Sequence, residues 1–243
     1  MCTRFYQDPS AETFPSVNAR SPQNSNLEPR YNIGPMKPAY VVRHDAKRQR
    51  ETVRLRWWLL PAWQKDPKPT HAMLNARAET VREKPSFRGA FKARRCLVPA
   101  NGWYEWMTEG TGKAMVKNPF LIKRADGAVI WFAGLWERWE PKGYGTPDVA
   151  IGPDGAALEP IESFAIVTTE PGPDCAMIHD RQPLVLADTP SIDSWMTGTP
   201  DTAAALMVPS PKGSLVWYPV SRDVNSVKSE GPHLIEPIGP GGP

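Results

Sequence analysis

The chain has 243 residues, 40% of them hydrophobic and 23% charged, with a formal net charge of +3. That balance suits a soluble globular protein with ample core, and the small charge surplus does not by itself argue for an anionic partner. The longest apolar run, Val129 to Trp136, is too short to span a bilayer, no apolar leader occurs between Met1 and Arg20, and three cysteines (Cys2, Cys96, Cys175) offer no disulfide framework.

In chain order, residues 7–30 are rich in Ser, Pro, Asn and Asp and read as loop with at most a short helix. Ala39–Arg43 and Thr52–Leu60 read as strands, and the basic residues from Arg43 to Arg56 as a solvated hairpin face. Asn75–Lys84 has helical propensity, stopped by Pro85, and Ser86–Ala93 reads as a second short helix. Cys96–Pro99 and Trp103–Met107 are strands around the turn Ala100-Asn101-Gly102. Phe120–Lys123 and Ala128–Trp136 flank Ala125-Asp126-Gly127, a hairpin signal. Pro141–Pro160 is an inserted surface loop, and Ser163–Thr169 and Leu215–Val220 are strands. Pro190–Thr197 and Pro200–Leu206 are helices with proline in the first turn. The 28 prolines, about twice the average share of roughly 5%, imply many loops and short strands. These elements predict an α+β fold of mostly antiparallel sheet, curled or barrel-like, with a few short helices. One domain over residues 1–237 and a flexible tail over 238–243 are expected.

Cys2 stands out. Once Met1 is removed it carries an α-amine titrating near ~7.7–8.0 and a thiol near ~8.5 on adjacent carbons. Such a pair attacks a carbonyl twice, giving an imine and then a five-membered thiazolidine, and it can also act as a nucleophile with a built-in base. A cysteine at position 2 can equally be an accident of a frayed terminus. Asn75 suits a helix N-cap. Glu105, between Tyr104 and Trp106, suits proton transfer if burial raises its pKa, or a solvated strand face if not. His179 is one of four histidines, and neighbouring Asp180 suits orienting it, although adjacent strand residues point to opposite faces. Trp63 fits either base stacking or core.

Five segments in order resemble the SOS response-associated peptidase family of abasic-site-crosslinking proteins. They are Met1-Cys2-Thr3-Arg4-Phe5, Arg30-Tyr31-Asn32-Ile33-Gly34-Pro35, Asn75-Ala76-Arg77-Ala78-Glu79-Thr80, Arg95 through Trp106 (RCLVPANGWYEW), and Ile178-His179-Asp180-Arg181-Gln182-Pro183. Leu55–Trp63 and Pro219–Asn225 support the match. Thr3 replaces a usual glycine, Met36-Lys37 a small polar pair, Trp58 a common glycine and Gln182 a common methionine or arginine. The loop from Glu140 to Pro160 is longer than usual.

The resemblance implies that Cys2, freed of Met1 by self-processing or an aminopeptidase, traps the aldehyde of an abasic site in single-stranded DNA as a thiazolidine. That makes the chain a DNA-crosslinking, lyase-like enzyme with cysteine autopeptidase activity in the SOS response to DNA damage. Asn75 would position the Cys2 terminus and the sugar, and Glu105 and His179 would move protons. Arg77 and Arg181, joined by Arg4, would hold phosphates, and Trp63 would stack on a base. No metal or cofactor is implied, Cys96 and Cys175 are expected to be inert, and a cytoplasmic monomer, nucleoid-associated if the source is bacterial, is expected. Two alternatives stand beside this: a cysteine peptidase acting in trans, and a non-covalent single-stranded DNA-binding module.

Overall fold

A computed structural model describes residues 2–9, 17–20, 27–68, 71–110 and 115–241. Among them are thirteen strands and three short α-helices. The strands are β1 (Arg4–Gln7), β2 (Arg30–Ile33), β3 (Pro38–His44), β4 (Arg50–Trp57), β5 (Asn75–Arg77), β6 (Arg95–Ala100) and β7 (Gly102–Glu109). They continue with β8 (Val116–Arg124), β9 (Ile130–Trp139), β10 (Ile161–Thr169), β11 (Gln182–Pro183), β12 (Val185–Leu186) and β13 (Leu215–Pro219). The helices are α1 (Arg88–Ala93), α2 (Thr189–Thr197) and α3 (Pro200–Ala205). None of the described helices is long and apolar enough to cross a membrane.

Two sheets result. One is five-stranded, in the order β13-β8-β7-β1-β2. The other runs β11-β10-β4-β3-β6-β9-β12, and an additional β9–β10 pairing closes β10-β4-β3-β6-β9 into a barrel. The fold is therefore the expected α+β architecture, with a closed barrel. Most pairs are antiparallel, but β10 runs parallel to both β4 and β5.

Strand periodicity explains the layering, because successive side chains point to opposite faces. On β3, Tyr40 and Val42 join the cluster shared with the helices, through Phe91, Ile192 and Trp195. Ala39 and Val41 join the cluster shared with the five-stranded sheet, through Phe5, Trp103 and Ile122. The same alternation separates Leu97 from Cys96 and Val98, and Ala165 from Phe164 and Ile166. The second cluster, where the barrel meets the five-stranded sheet, also holds Cys2 and Cys175.

Three expectations change. Asn75–Lys84 is not a helix: Asn75–Arg77 is β5, paired in parallel with Ile166–Thr168, and turns follow. Asn75 is consequently not a helix N-cap. Ala125-Asp126-Gly127 does form a turn, with the Gly127 N–H donating to the Arg124 carbonyl at 3.1 Å and φ of 74° at Gly127. It does not close a hairpin, because β8 enters the five-stranded sheet and β9 the barrel. The hairpin is instead β7–β8, from Trp103 opposite Ile122 to Glu109 opposite Val116. Finally, the β3–β4 hairpin face is not uniformly solvated: Arg43 pairs with Glu51 and Glu162 and stacks 4.3 Å over Trp136.

Helices α2 and α3 form where proline-led starts predict them. Asp188 accepts from the Ser191 N–H at 2.8 Å, completing a capping box, and Thr199 accepts from Thr202 N–H. Of the predicted 7–30 loop, residues 10–16 and 21–26 lie outside the described residues, and Arg20 makes a parallel bridge to Glu51. In the predicted tail, Ile238 N–H donates to Pro219 O at 3.0 Å, and 242–243 lie outside the described residues.

Candidate active site

Strand β1 pairs antiparallel with β7, with Arg4 opposite Tyr104 and Phe5 opposite Trp103. Continuing that register one residue sets Thr3 across from Glu105. Cys2 follows with its side chain wholly buried, its Sγ lying 3.7 Å from the Arg4 carbonyl. Burial pushes the Cys2 thiol well above its ordinary range, and Glu105 adds to the effect. Asn75, carried by β5, donates from Nδ2 to the Cys2 carbonyl at 2.8 Å. Its Oδ1 is buried and without a hydrogen-bond partner among the described residues.

Glu105 is 3% exposed and its carboxyl is pushed up to about 8, first by burial and further by Asp180. Its Oε2 stands 3.9 Å from Nε2 of His179. His179 comes from the turn 172–179, in which the His179 N–H donates to the Cys175 carbonyl at 3.2 Å. Burial holds this imidazole below the ordinary histidine range, so it is neutral at pH 7. The Arg181 N–H approaches Nδ1 at 3.1 Å, and the other ring nitrogen, Nε2, faces Glu105. Asp180 Oδ1 lies 2.7 Å from Nδ1 and accepts the Nδ1–H when that nitrogen is protonated, which leaves Nε2 as the basic nitrogen toward the cleft. Because residues 179–180 lie in a bend and not a strand, the opposite-face rule does not separate them.

Thr3, Glu105, His179, Asp180, Trp106 and Lys117 share one cleft of about 830 Å³. A neutral acid and a neutral base meet across it, beside Cys2. Such a site can pass a proton in either direction at neutral pH.

The sequence-predicted arginines divide. Arg77 is exposed on β5. Arg4 is 9% exposed and donates to Asn32 Oδ1 and the Val224 carbonyl, both at 2.8 Å. Arg181 makes a bidentate pair with Glu79, at 2.6 and 3.0 Å, and donates to Thr168 O at 2.7 Å. Both of these guanidiniums are therefore engaged internally. Trp63 is 64% exposed, which rules out its reading as core. Cys96 and Cys175 are buried, and burial pushes the Cys175 thiol up to about 12.

Two residues that position the site carried no sequence signal of that role. Buried Asp174 accepts from the Gly213 N–H at 3.0 Å and the Leu215 N–H at 3.1 Å, and its carbonyl accepts from Trp217 Nε1. It pins the His179 turn to β13. Gln182, noted only as a departure, accepts from Gly172 N–H at 2.7 Å and donates to Ser210 Oγ at 2.9 Å, fixing the start of that turn. Its burial and its contact with Gly172 were visible only after folding.

A closed barrel with a buried cysteine thiol, a buried acid and a histidine at its junction with a second sheet defines a protein with a candidate nucleophile beside a proton-transfer pair. The family model for SOS response associated peptidase (SRAP) matches residues 1–227, and the chain belongs to that family. It is 36% identical over 211 residues to the abasic site processing protein YoqW of Bacillus subtilis, covering 86% of each chain. It is 30% identical to the abasic site processing protein YedK of Escherichia coli, covering 98% of this chain and 100% of that one. Identity to the abasic site processing protein HMCES of Gallus gallus is also 30%, covering 89% of this chain and 68% of that one. A crystal structure of a Bacteroides thetaiotaomicron protein shares the fold, with a TM-score of 0.75 at 24% identity over 96% of this chain and 99% of that one.

Proposed function

We propose that this protein processes abasic sites in single-stranded DNA by forming a covalent thiazolidine with Cys2. The observation that carries the reading is the convergence of Asn75, Glu105 and His179 on the Cys2 terminus. The names of its relatives point to the same substrate.

Hydrolysis of the Met1–Cys2 bond frees the α-amine. Asn75 holds the Cys2 carbonyl with Nδ2, and its unoccupied Oδ1 is an acceptor for an N–H of the new amine. The deoxyribose ring opens when a proton reaches the ring oxygen and one leaves the anomeric hydroxyl. Glu105, still protonated near neutral pH, supplies the first. The amine adds to the aldehyde carbon, neutral His179 takes the ammonium proton, and loss of water gives the imine. The Cys2 sulfur then adds to the imine carbon, its proton passing to nitrogen, and the ring closes. A thiol held in its protonated form by burial suits this second role, because ring closure needs no persistent thiolate. The same property argues against a peptidase acting in trans, whose nucleophile needs a lowered thiol pKa.

Arg77 and Trp63, exposed, supply phosphate and base contacts, while Arg4 and Arg181 shape the site. Incubation with an abasic single-stranded oligonucleotide should give a band stable on a denaturing gel, absent with Cys2→Ala. A Cys2→Ala protein that still crosslinks, or a wild type of intact mass minus methionine that does not, would sink this reading.

A further inference from the structure

The helix side of the barrel carries a second cleft, of about 310 Å³, none of whose residues lines the Glu105–His179 cleft. Its ionisable residues are all bases: His44, Arg48, Lys92 and Arg95. The acids nearby are taken by other arginines. Glu51 and Glu162 pair with Arg43, Asp193 with Arg50, Glu137 with Arg94 and Asp45 with Arg20. Among the described residues, none of the four lining bases has an ion-pair partner.

Two of the four have distinctive local settings. Arg95 is 9% exposed and donates to the carbonyls of Phe91, Trp195 and Gly198. It thereby joins the C-terminal carbonyls of α1 and α2, offsetting their partial negative charge with a full positive one that no carboxylate neutralises. Arg48 has a φ of 62° in the turn Asp45–Gln49 that closes β3 on β4. Left-handed backbone favours glycine or asparagine, so an arginine there sits in a conformation that costs it more than it would cost glycine. Trp136, with Arg43 stacked on it, forms an apolar wall.

We propose that this cleft is a binding site for a phosphate group, borne either by a nucleic-acid strand or by a free phosphorylated anion. The Arg48 guanidinium, Lys92 ammonium and His44 imidazole that line this space match the charge and acceptor oxygens of phosphate, while Arg95, whose nitrogens donate to the helix carbonyls, adds its charge. Burial and the positive charges of Arg50 and Arg48 hold His44 below the ordinary histidine range, and a bound anion would move it back. The inference does not depend on the reading of the Cys2 site.

Inorganic phosphate titrated into the full-length protein in a phosphate-free buffer, with the His44 ring followed by NMR and heat by calorimetry, tests it. Saturable binding is expected, with the His44 resonance moving toward its protonated position. Lys92→Gln and Arg48→Gly should each weaken affinity about tenfold or more. Arg48→Gly should at the same time raise Tm, because glycine relieves the left-handed strain, so that loss of binding cannot be put down to misfolding. A short 5′-phosphorylated oligonucleotide then separates the sources. Tighter binding than inorganic phosphate, lost with Arg48→Gly, assigns a nucleic-acid strand, and phosphate binding without it assigns a free anion. Absence of saturable phosphate binding, or variants that bind like wild type, would overturn the proposal.

Discussion

Glu105→Gln exchanges a buried carboxyl for an amide of nearly equal shape. The carboxyl is raised from 4.5 to about 8, mainly by burial. Between those two values the folded chain keeps a proton that the unfolded chain has released. Its contribution to stability is complete below about pH 4.5 and declines as pH rises, by about 1.4 kcal/mol per pH unit, until the folded group ionises near 8. Over the whole interval, 8 minus 4.5 or about 3.5 pH units, the loss is at most about 5 kcal/mol, with local relaxation reducing it. Between pH 6.5 and 8 it amounts to roughly 1–2 kcal/mol. Other groups also titrate in that range, the terminal α-amine and the histidines of the unfolded chain among them, but they are common to wild type and variant and cancel when the two are compared. Urea unfolding at closely spaced pH values should therefore show wild type losing stability relative to Glu105→Gln from pH 6.5 to 8. The variant should also form the DNA adduct slowly across the whole range, because the amide cannot deliver a proton. Superimposable wild-type and variant stability profiles would refute the assignment of a protonated Glu105.

Trp63→Ala should leave Tm unchanged, since the ring is exposed, and weaken single-stranded DNA binding by about 1–3 kcal/mol in a fluorescence titration. Arg4→Met should lower stability by about 2–3 kcal/mol in chemical denaturation, because it strips the donor from Asn32 Oδ1 and Val224 O. Arg77→Ser, at an exposed position, should spare stability but reduce the salt dependence of DNA binding by about one phosphate contact. Asn75→Ala, losing the 2.8 Å bond to the Cys2 carbonyl, should cost about 1 kcal/mol of stability and slow adduct formation about tenfold in a gel time course.

Much of the site was legible because its residues sit in short, ordered segments. Cys2, Asn75, Glu105 and His179 were picked out by residue type and by resemblance, and folding gathers all four at the junction of barrel and sheet. The arginines were harder to read. Arg181 and Arg4 look like phosphate ligands in sequence, yet Glu79, Asn32 and Val224 occupy their donors. A guanidinium that faces a carboxylate a hundred residues away is indistinguishable, in sequence, from one that faces solvent. Arg48, read only as part of a solvated hairpin, turned out to hold a left-handed backbone beside an all-basic cleft.

The sequence by itself determined the strand periodicity, the proline-led helices α2 and α3, and the chemistry available at Cys2. Those are local matters of rotamer, cap and functional group. Tertiary structure alone decided that Asn75–Arg77 is a strand, because pairing with Ile166–Thr168 on β10 outweighs a weak local helix preference. It decided that the turn at Gly127 passes the chain between sheets, because β8 and β9 each find a better partner than one another. It also set the protonation of Glu105, since the raised carboxyl follows from desolvation between two layers that no stretch of residues contains on its own.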